Sequence, residues 1–337
     1  MSVEKRKQEH IEVCLRENVN FVKSNGFEKY DFVHNALCDF DFSDIDISCD
    51  FLGRKMKAPI IISSITGGCG EAEKINRNLA RAAQAFGIAM SCGSQKAMIK
   101  DLGLVSTYAV REVAPDILYL GNIGLDYLKN HENFARVKIA LQSIGGDGIF
   151  VHLNLAQELS QGEGERDFAG SYNDLMEFIK SMDLPVLVKE VGSGIAGVVA
   201  ERLEKAGVAA IDVAGAGGIS WAKVESFRQK DGAIGERFSD WGIPTAECLA
   251  DCVKSVQVPL IASGGIYDGV TACKALALGA SMVGLAGPLL RCADESAESV
   301  QKYLENYILE MKICMILVGC RNWEELRNRK EKLLKEI

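Results

Sequence analysis

The sequence predicts an α/β protein, a (β/α)8 TIM barrel with an N-terminal extension and a long loop after strand six. Three observations carry this. Eight short apolar, β-branched segments recur along the chain: APIIIS (58–63), GIAMS (87–91), DILYL (116–120), GIFVHL (148–153), PVLVK (185–189), VAAIDV (208–213), VPLIAS (258–263) and SMVGLA (281–286). Stretches with helical periodicity lie between most of them, among them Glu71 to Phe86, Asn133 to Ser143, Ile195 to Ala206 and Val270 to Leu278. Polar residues follow nearly every segment. Apolar strands alternating with amphipathic helices read as parallel strands buried on both faces. A doubly wound sheet is the alternative. Eight units at spacings of roughly 25–35 residues, with polar groups at their ends, favour a closed barrel with its site on the carboxyl face.

Two regions stand outside the repeat. Residues 1–57 form an N-terminal segment in which Phe40, Phe42, Ile45, Ile47, Cys49 and Phe51 mostly alternate with polar residues. That pattern reads as a hairpin able to close the barrel floor. The barrel proper is assigned to residues 58–320, and the charged end, 321–337, reads as a solvated helix. Between strands six and seven, residues 219–242 are polar and glycine-punctuated, as expected of a lid or binding loop.

Composition narrows the function classes. The 337 residues carry a net charge of −8, which disfavours general nucleic-acid binding. The 11 cysteines are scattered, with no C-x-x-C pair, and read as buried thiols of a reducing compartment rather than as disulfides or a zinc site. The longest uncharged stretch, Ala275 to Leu290, is 16 residues long and glycine-broken, short of a membrane span. A cytoplasmic protein is expected.

The strand ends hold the candidate chemistry. Gly264-Gly265 and Ala286-Gly287 end strands seven and eight, where barrels of this kind bind phosphate on backbone N–H groups and a helix N-terminus. Lys189 ends strand five. It can face the N1/O2 edge of a flavin, or it can pair with Glu158 or Asp212. His152, Asn154, Gln157 and Glu158 cluster after strand four, where an imidazole and two amides can orient a polar substrate. A single carboxylate is too few for an all-protein metal cage, but enough for Mg²⁺ if a diphosphate supplies further oxygens. Arg6, Lys7 and His10 stand in a helix-like opening and suit an anionic tail; a solvated N-terminus is the alternative. Gly192-x-Gly194-x-x-Gly197 matches a dinucleotide-binding pattern, with Asp212 at a tempting distance. It lies in the fifth unit of eight, after Lys189-Glu190, and is read as a decoy.

These residues resemble the type 2, FMN-dependent isopentenyl-diphosphate isomerases nearly end to end. The resemblance rests on RKQEH (6–10), APIIISSITGG (58–68), GSQKA (93–97), HLNLAQE (152–158), KEVGSGI (189–195), DVAGAGGISW (212–221), WGIPTA (241–246) and ASGGI (262–266). It implies FMN on the barrel's top face, contacted by Ile65, Thr66, Gly67, Ser94, Asn122 and Lys189, with its phosphate near Gly264-Gly265 and Ala286-Gly287. It implies a prenyl diphosphate held by Arg6, Lys7, His10, Ser94, Gln95, Lys96, His152, Asn154 and Gln157, with Glu158 on Mg²⁺. It also implies a homo-oligomer, a tetramer or octamer. Three positions depart from the family pattern. Ile219 replaces a threonine that often contacts FMN, Tyr267 an arginine that often supports its phosphate, and Lys96 an arginine. Lysine keeps the charge but loses the bidentate fork.

The implied reaction is a 1,3-proton shift converting isopentenyl to dimethylallyl diphosphate. Reduced FMN would be the acid/base, NADPH would only keep it reduced, His152 and Gln157 would orient substrate, and Lys189 would stabilise the anionic flavin. The rivals are an FMN barrel oxidoreductase and a flavin- or prenyl-diphosphate-binding homologue without turnover. Against the first, no histidine follows His152 to serve as a hydroxy-acid oxidase's base, and GAGGIS after strand six lacks a nucleotide dehydrogenase's cysteine. Ile219 and Tyr267 keep the second open.

Overall fold

The computed structural model describes residues 3–229 and 231–337. Three short strands precede the barrel: β1 (Tyr30–Phe32), β2 (Cys49–Phe51) and β3 (Arg54–Met56). The barrel strands are β4 (Ile60–Ile62), β5 (Ala89–Ser91), β6 (Tyr119–Gly124), β7 (Gly148–His152), β8 (Val186–Lys189), β9 (Ala210–Asp212), β10 (Leu260–Ser263) and β11 (Met282–Leu285). They close in the order β4 to β11, with β11 pairing back to β4 in parallel. Seven fall within the segments expected from sequence; β6 begins in the segment 116–120 and runs on to Gly124. A last strand, β12 (Leu334–Glu336), ends the chain.

Side-chain alternation along the strands divides the core in two. Ile61, Ala89, Leu120, Phe150, Leu187, Ala210, Ile261 and Met282 form a cluster inside the barrel. Their neighbours, such as Ile60, Ile62, Val151, Val188 and Val283, belong to the outer core. Two residues beyond each inner apolar residue stand Ser63, Ser91, Asn122, His152, Lys189, Asp212, Ser263 and Gly284. Strand periodicity gives them the same inward face. Register sets Gly124, His152, Lys189 and Asp212 side by side. The barrel interior therefore changes from an apolar layer to a polar one within one strand repeat.

The opposite end is closed by the antiparallel β2–β3 hairpin, which sends Phe51 and Met56 into the inner cluster. Its turn, Leu52-Gly53, has φ of 49° and 74°, the left-handed pair a two-residue hairpin needs. The hairpin expected within 40–51 thus lies later, at 49–56. Asp41 caps a short 3-10 turn at Phe42–Asp44, which takes Phe42 out of the strand pattern. Ile45, Ile47 and Phe51 keep theirs and are buried.

The charged tail departs from the solvated helix expected over 321–337. It forms short helices at Trp323–Asn328 and Lys330–Leu333, and then β12, which pairs antiparallel with β1. Trp323, Leu326, Leu333 and Leu334 are buried, and the Trp323 indole donates to the Ile47 carbonyl at 2.9 Å. Four apolar anchors among many charges are enough to dock it. All 11 cysteines are free thiols. Among the described residues no helix is long and apolar enough to cross a membrane.

Candidate active site

A cavity of about 560 Å³ opens above the polar layer. Its floor is the ends of the barrel strands. Its roof comes from the N-terminal helix Val3–Arg16 and from the segment after β9, which folds into helices Trp221–Arg228 and Ala233–Arg237. The chain after the N-terminal helix is stitched to that segment: Phe21 N–H donates to the Gly218 carbonyl and Ser220 N–H to the Val19 carbonyl, each at 2.9 Å. Arg6, Lys7 and His10, distant in sequence from the barrel, therefore line the same cavity as His152, Asn154 and Gln157.

The roof is held by one carboxylate. Glu225 is fully buried. It accepts from His10 Nε2 at 2.9 Å and Gln157 Nε2 at 3.1 Å, and it pairs with Arg228. Arg228 also reaches Glu9 and Glu163, each at 3.2 Å. Burial pushes the Glu225 carboxyl up, but His10 and Arg228 outweigh it and hold it below its ordinary value. Arg6 donates to Gln161 at 3.2 Å. Lys7 is half-buried, and enclosure, followed by the Arg6 charge, lowers its ammonium to about 8.

On the floor, His152 Nδ1 lies 2.7 Å from Asn122 Oδ1. A carbonyl oxygen accepts only, so Nδ1 carries the proton and Nε2 presents a lone pair. Burial, then the Lys189 charge, pushes this imidazole down to about 3, so it is neutral. Lys96 pairs with Asp126 at 2.5 Å; burial raises that carboxyl, but the ammonium outweighs it and keeps it ionised. Lys189 is buried, with Nζ 2.5 Å from the Glu190 carbonyl. Burial lowers its pKa, while Asp212 and Glu190 oppose that shift. Lys189 lines the cavity, and of the two carboxylates named from sequence Asp212 is the one whose charge acts on it.

The glycine pattern at 192–197 is a decoy. The Glu190 carboxylate accepts from the N–H groups of Val191, Gly192, Ser193 and Gly194. The anion-binding loop is filled by the chain's own carboxylate, leaving no place for a phosphate.

Ile65, Thr66, Ser94 and Lys96 line the cavity, as do Ile219, Gly264, Gly265, Tyr267, Ala286, Gly287 and Glu158. Two expected contacts do not. Gln95 is buried behind the wall, donating to the Ala140 carbonyl at 3.1 Å and accepting from Asn122 N–H at 3.2 Å. It fixes the loop rather than touching a ligand. Gly67 is pressed against Tyr108, where an added Cβ would stand 2.1 Å from the ring. Sequence reasoning passed over Asp126, Glu225 and Arg291. Asp126 stands two residues past the observed end of β6 but six past the end expected from sequence, which hid it. Glu225 had no signal, because its partners lie far away in the chain.

The cavity fits a flavin nucleotide. Among the described residues Ser63 Oγ and Thr66 Oγ1 are buried polar atoms without a protein partner, and both residues line it. Such atoms are costly unless a ligand bonds them. Gly264 and Gly265 have φ of 102° and 73°, which favours glycine. Beside them the helix Gly287–Glu295 begins with no side-chain cap. Small loops and open N–H groups are what a phosphate needs. Glu158 accepts from Asn154 Nδ2 at 2.9 Å and from Glu165 N–H at 2.8 Å. Among the described residues no cluster of three or more His, Cys, Asp or Glu is positioned to hold a metal.

A family model described as FMN-dependent dehydrogenase matches residues 4–103 and 144–333. The fold agrees: a mandelate oxidase structure with (S)-mandelic acid superposes with a TM-score of 0.66 at 19% identity, covering 99% of this chain and 96% of that one. A flavocytochrome b2 mutant with pyruvate bound gives 0.71 at 19% identity, covering 97% and 82%. The class is that of FMN-dependent (β/α)8 barrels. Much higher identity is found with isopentenyl-diphosphate delta-isomerases: 46% to that of Pyrococcus furiosus (96% of this chain, 84% of the relative), 44% to that of Methanothermobacter thermautotrophicus (96% and 91%) and 43% to that of a Synechococcus (97% and 95%). The chain belongs to the isopentenyl-diphosphate delta-isomerase family.

Proposed function

We propose that this protein interconverts isopentenyl and dimethylallyl diphosphate by a 1,3-proton shift, as a step of isoprenoid synthesis in the cytoplasm. The observation that carries this reading is the meeting of Arg6, Lys7 and His10 with His152, Asn154 and Gln157 over one polar barrel floor. Cations at the roof suit a diphosphate, and apolar lining such as Ile11, Ile65 and Trp221 suits a short prenyl chain. FMN in its reduced form, kept so by NADPH, supplies the acid/base chemistry, with Thr66, Ser94, Asn122 and Lys189 holding the ring and the glycine loops the phosphate.

The protein's own contribution is placement. Neutral His152 accepts at Nε2 and so serves as an acceptor, not as a proton source. Gln157, tethered to Glu225 at Nε2 and approached by Asn154 Nδ2 at 3.2 Å, presents an amide of fixed orientation. Lys189 supplies positive charge to the floor. Arg6, Lys7 and Lys96 bind the diphosphate, and Glu158 is the carboxylate that would hold a Mg²⁺ brought in with that diphosphate. The roof over the strand ends shields from bulk water the charge that develops on the prenyl carbons. The absence of any histidine after His152 speaks against hydroxy-acid oxidation. The protein works as a homo-oligomer, a tetramer or octamer.

The test is an anaerobic assay with isopentenyl diphosphate, Mg²⁺, FMN and NADPH, omitting each in turn. Dimethylallyl diphosphate should form only with flavin and reductant, without stoichiometric NADPH use. A flavin-loaded protein that yields no product would overturn the isomerase reading.

A further inference from the structure

A flavin phosphate carries close to two negative charges, and enclosing it is costly unless a cation shares the site. At the phosphate end of the cavity the loops after β10 and β11 offer backbone N–H groups and the partial charge of one helix terminus. Tyr267 lines this end with a phenol whose hydroxyl donates to the Gly217 carbonyl at 3.3 Å. The cations elsewhere in the cavity are engaged or remote. Lys189 donates to the Glu190 carbonyl. Lys7 stands with Arg6 and Lys96 at the other end.

Arg291 is different. It lies four residues after Gly287, on the same face of the uncapped helix Gly287–Glu295. It lines the cavity together with Gly287, Tyr267 and Tyr303. Among the described residues its guanidinium has no hydrogen bond or ion pair to the protein. Its charge is felt at the Tyr267 hydroxyl, where it opposes the rise that burial causes. We infer that Arg291 is the cationic clamp for the flavin phosphate, and hence the residue that makes this cavity choose FMN over riboflavin. It takes from the helix the role that Tyr267 cannot fill from the neighbouring loop.

This inference rests on the FMN site, and the experiment separates the two. Apoprotein is titrated with oxidised FMN and with riboflavin, following quenching of flavin fluorescence. The wild-type protein should prefer FMN. Arg291→Ala should reduce that preference by about 10- to 100-fold, the range for a charge-assisted hydrogen bond, with riboflavin affinity unchanged. Arg291→Lys should keep part of it. Adding Tyr267→Arg to Arg291→Ala should restore it, which a misfolded variant could not show. An unchanged FMN-to-riboflavin ratio in Arg291→Ala, or a parallel loss of both, would overturn the clamp while leaving the flavin site standing. A wild-type protein that binds neither flavin would overturn both.

Discussion

Lys7 and His152 face one cavity, and burial drives both away from their ordinary proton affinities. For His152 the shift to about 3 leaves a neutral acceptor throughout the physiological range, so it adds no limb to a pH–rate profile near pH 6–7. For Lys7 the direction has a consequence. With its pKa lowered to about 8, the ammonium is intact below that pH and lost above it. A bound diphosphate favours the charged form and pulls the pKa back up. Substrate affinity should therefore fall as pH rises through about 8, while turnover at saturation stays level. Measuring KM and kcat separately from pH 6.5 to 9.5 checks this, and Lys7→Arg, which stays charged, should flatten the KM profile. A level KM in the unmodified protein would remove Lys7 from the anion site.

At the scale of elements, the roof is an assembly of two segments joined through a carboxylate. The N-terminal helix and helix Trp221–Arg228 meet at His10–Glu225 and Glu9–Arg228, with the His10 and Trp221 rings edge-on at 5.1 Å. Glu225→Ala removes the acceptor of His10 and Gln157 and takes from Arg228 its buried carboxylate partner. Breaking one side of such a buried pair costs about 3–5 kcal/mol. Here the cost should appear locally, as faster amide hydrogen exchange over residues 4–16 and a raised KM, with exchange in the barrel strands unchanged. Unaltered exchange over 4–16 would show that the helix is docked by packing alone. This network marks a boundary of sequence legibility. RKQEH and HLNLAQE were readable as candidate sites, but Glu225 was not, because a carboxylate in a polar loop looks like a solvated one until its partners are brought to it. Gln95 shows the converse, a polar residue between two site residues that the loop turns into the wall.

At the scale of the whole molecule, the barrel is sealed at one end and functional at the other. Phe51 and Met56 complete the inner apolar layer, on the side of it opposite the polar one. Phe51→Ala should destabilise the protein by about 3–5 kcal/mol, the usual range for removing a buried aromatic ring. Denaturant unfolding should show a lower midpoint at similar slope, and activity per folded molecule should be retained. A stability loss below about 1 kcal/mol would mean that the hairpin does not seal the floor. The ends of the chain also meet at this scale, since β1 and β12 pair across nearly the full sequence.

The sequence by itself determined the barrel, its eight strands and the inward polar positions, because strand and helix periods are local and the parity of a strand tells which residues share a face. It also marked His152, Glu158 and Lys189, since charged or ionisable groups at apolar strand ends stand out, while residues such as Ile65, Ser94 and Ile219 were marked by the family resemblance alone. Tertiary structure decided the rest. It placed the hairpin at 49–56, docked a charged tail through four apolar anchors, filled the 192–197 glycine loop with Glu190 and brought Arg291 beside Tyr267. Each of these depends on which distant partner reaches a group first, and that competition is settled only when the chain is packed.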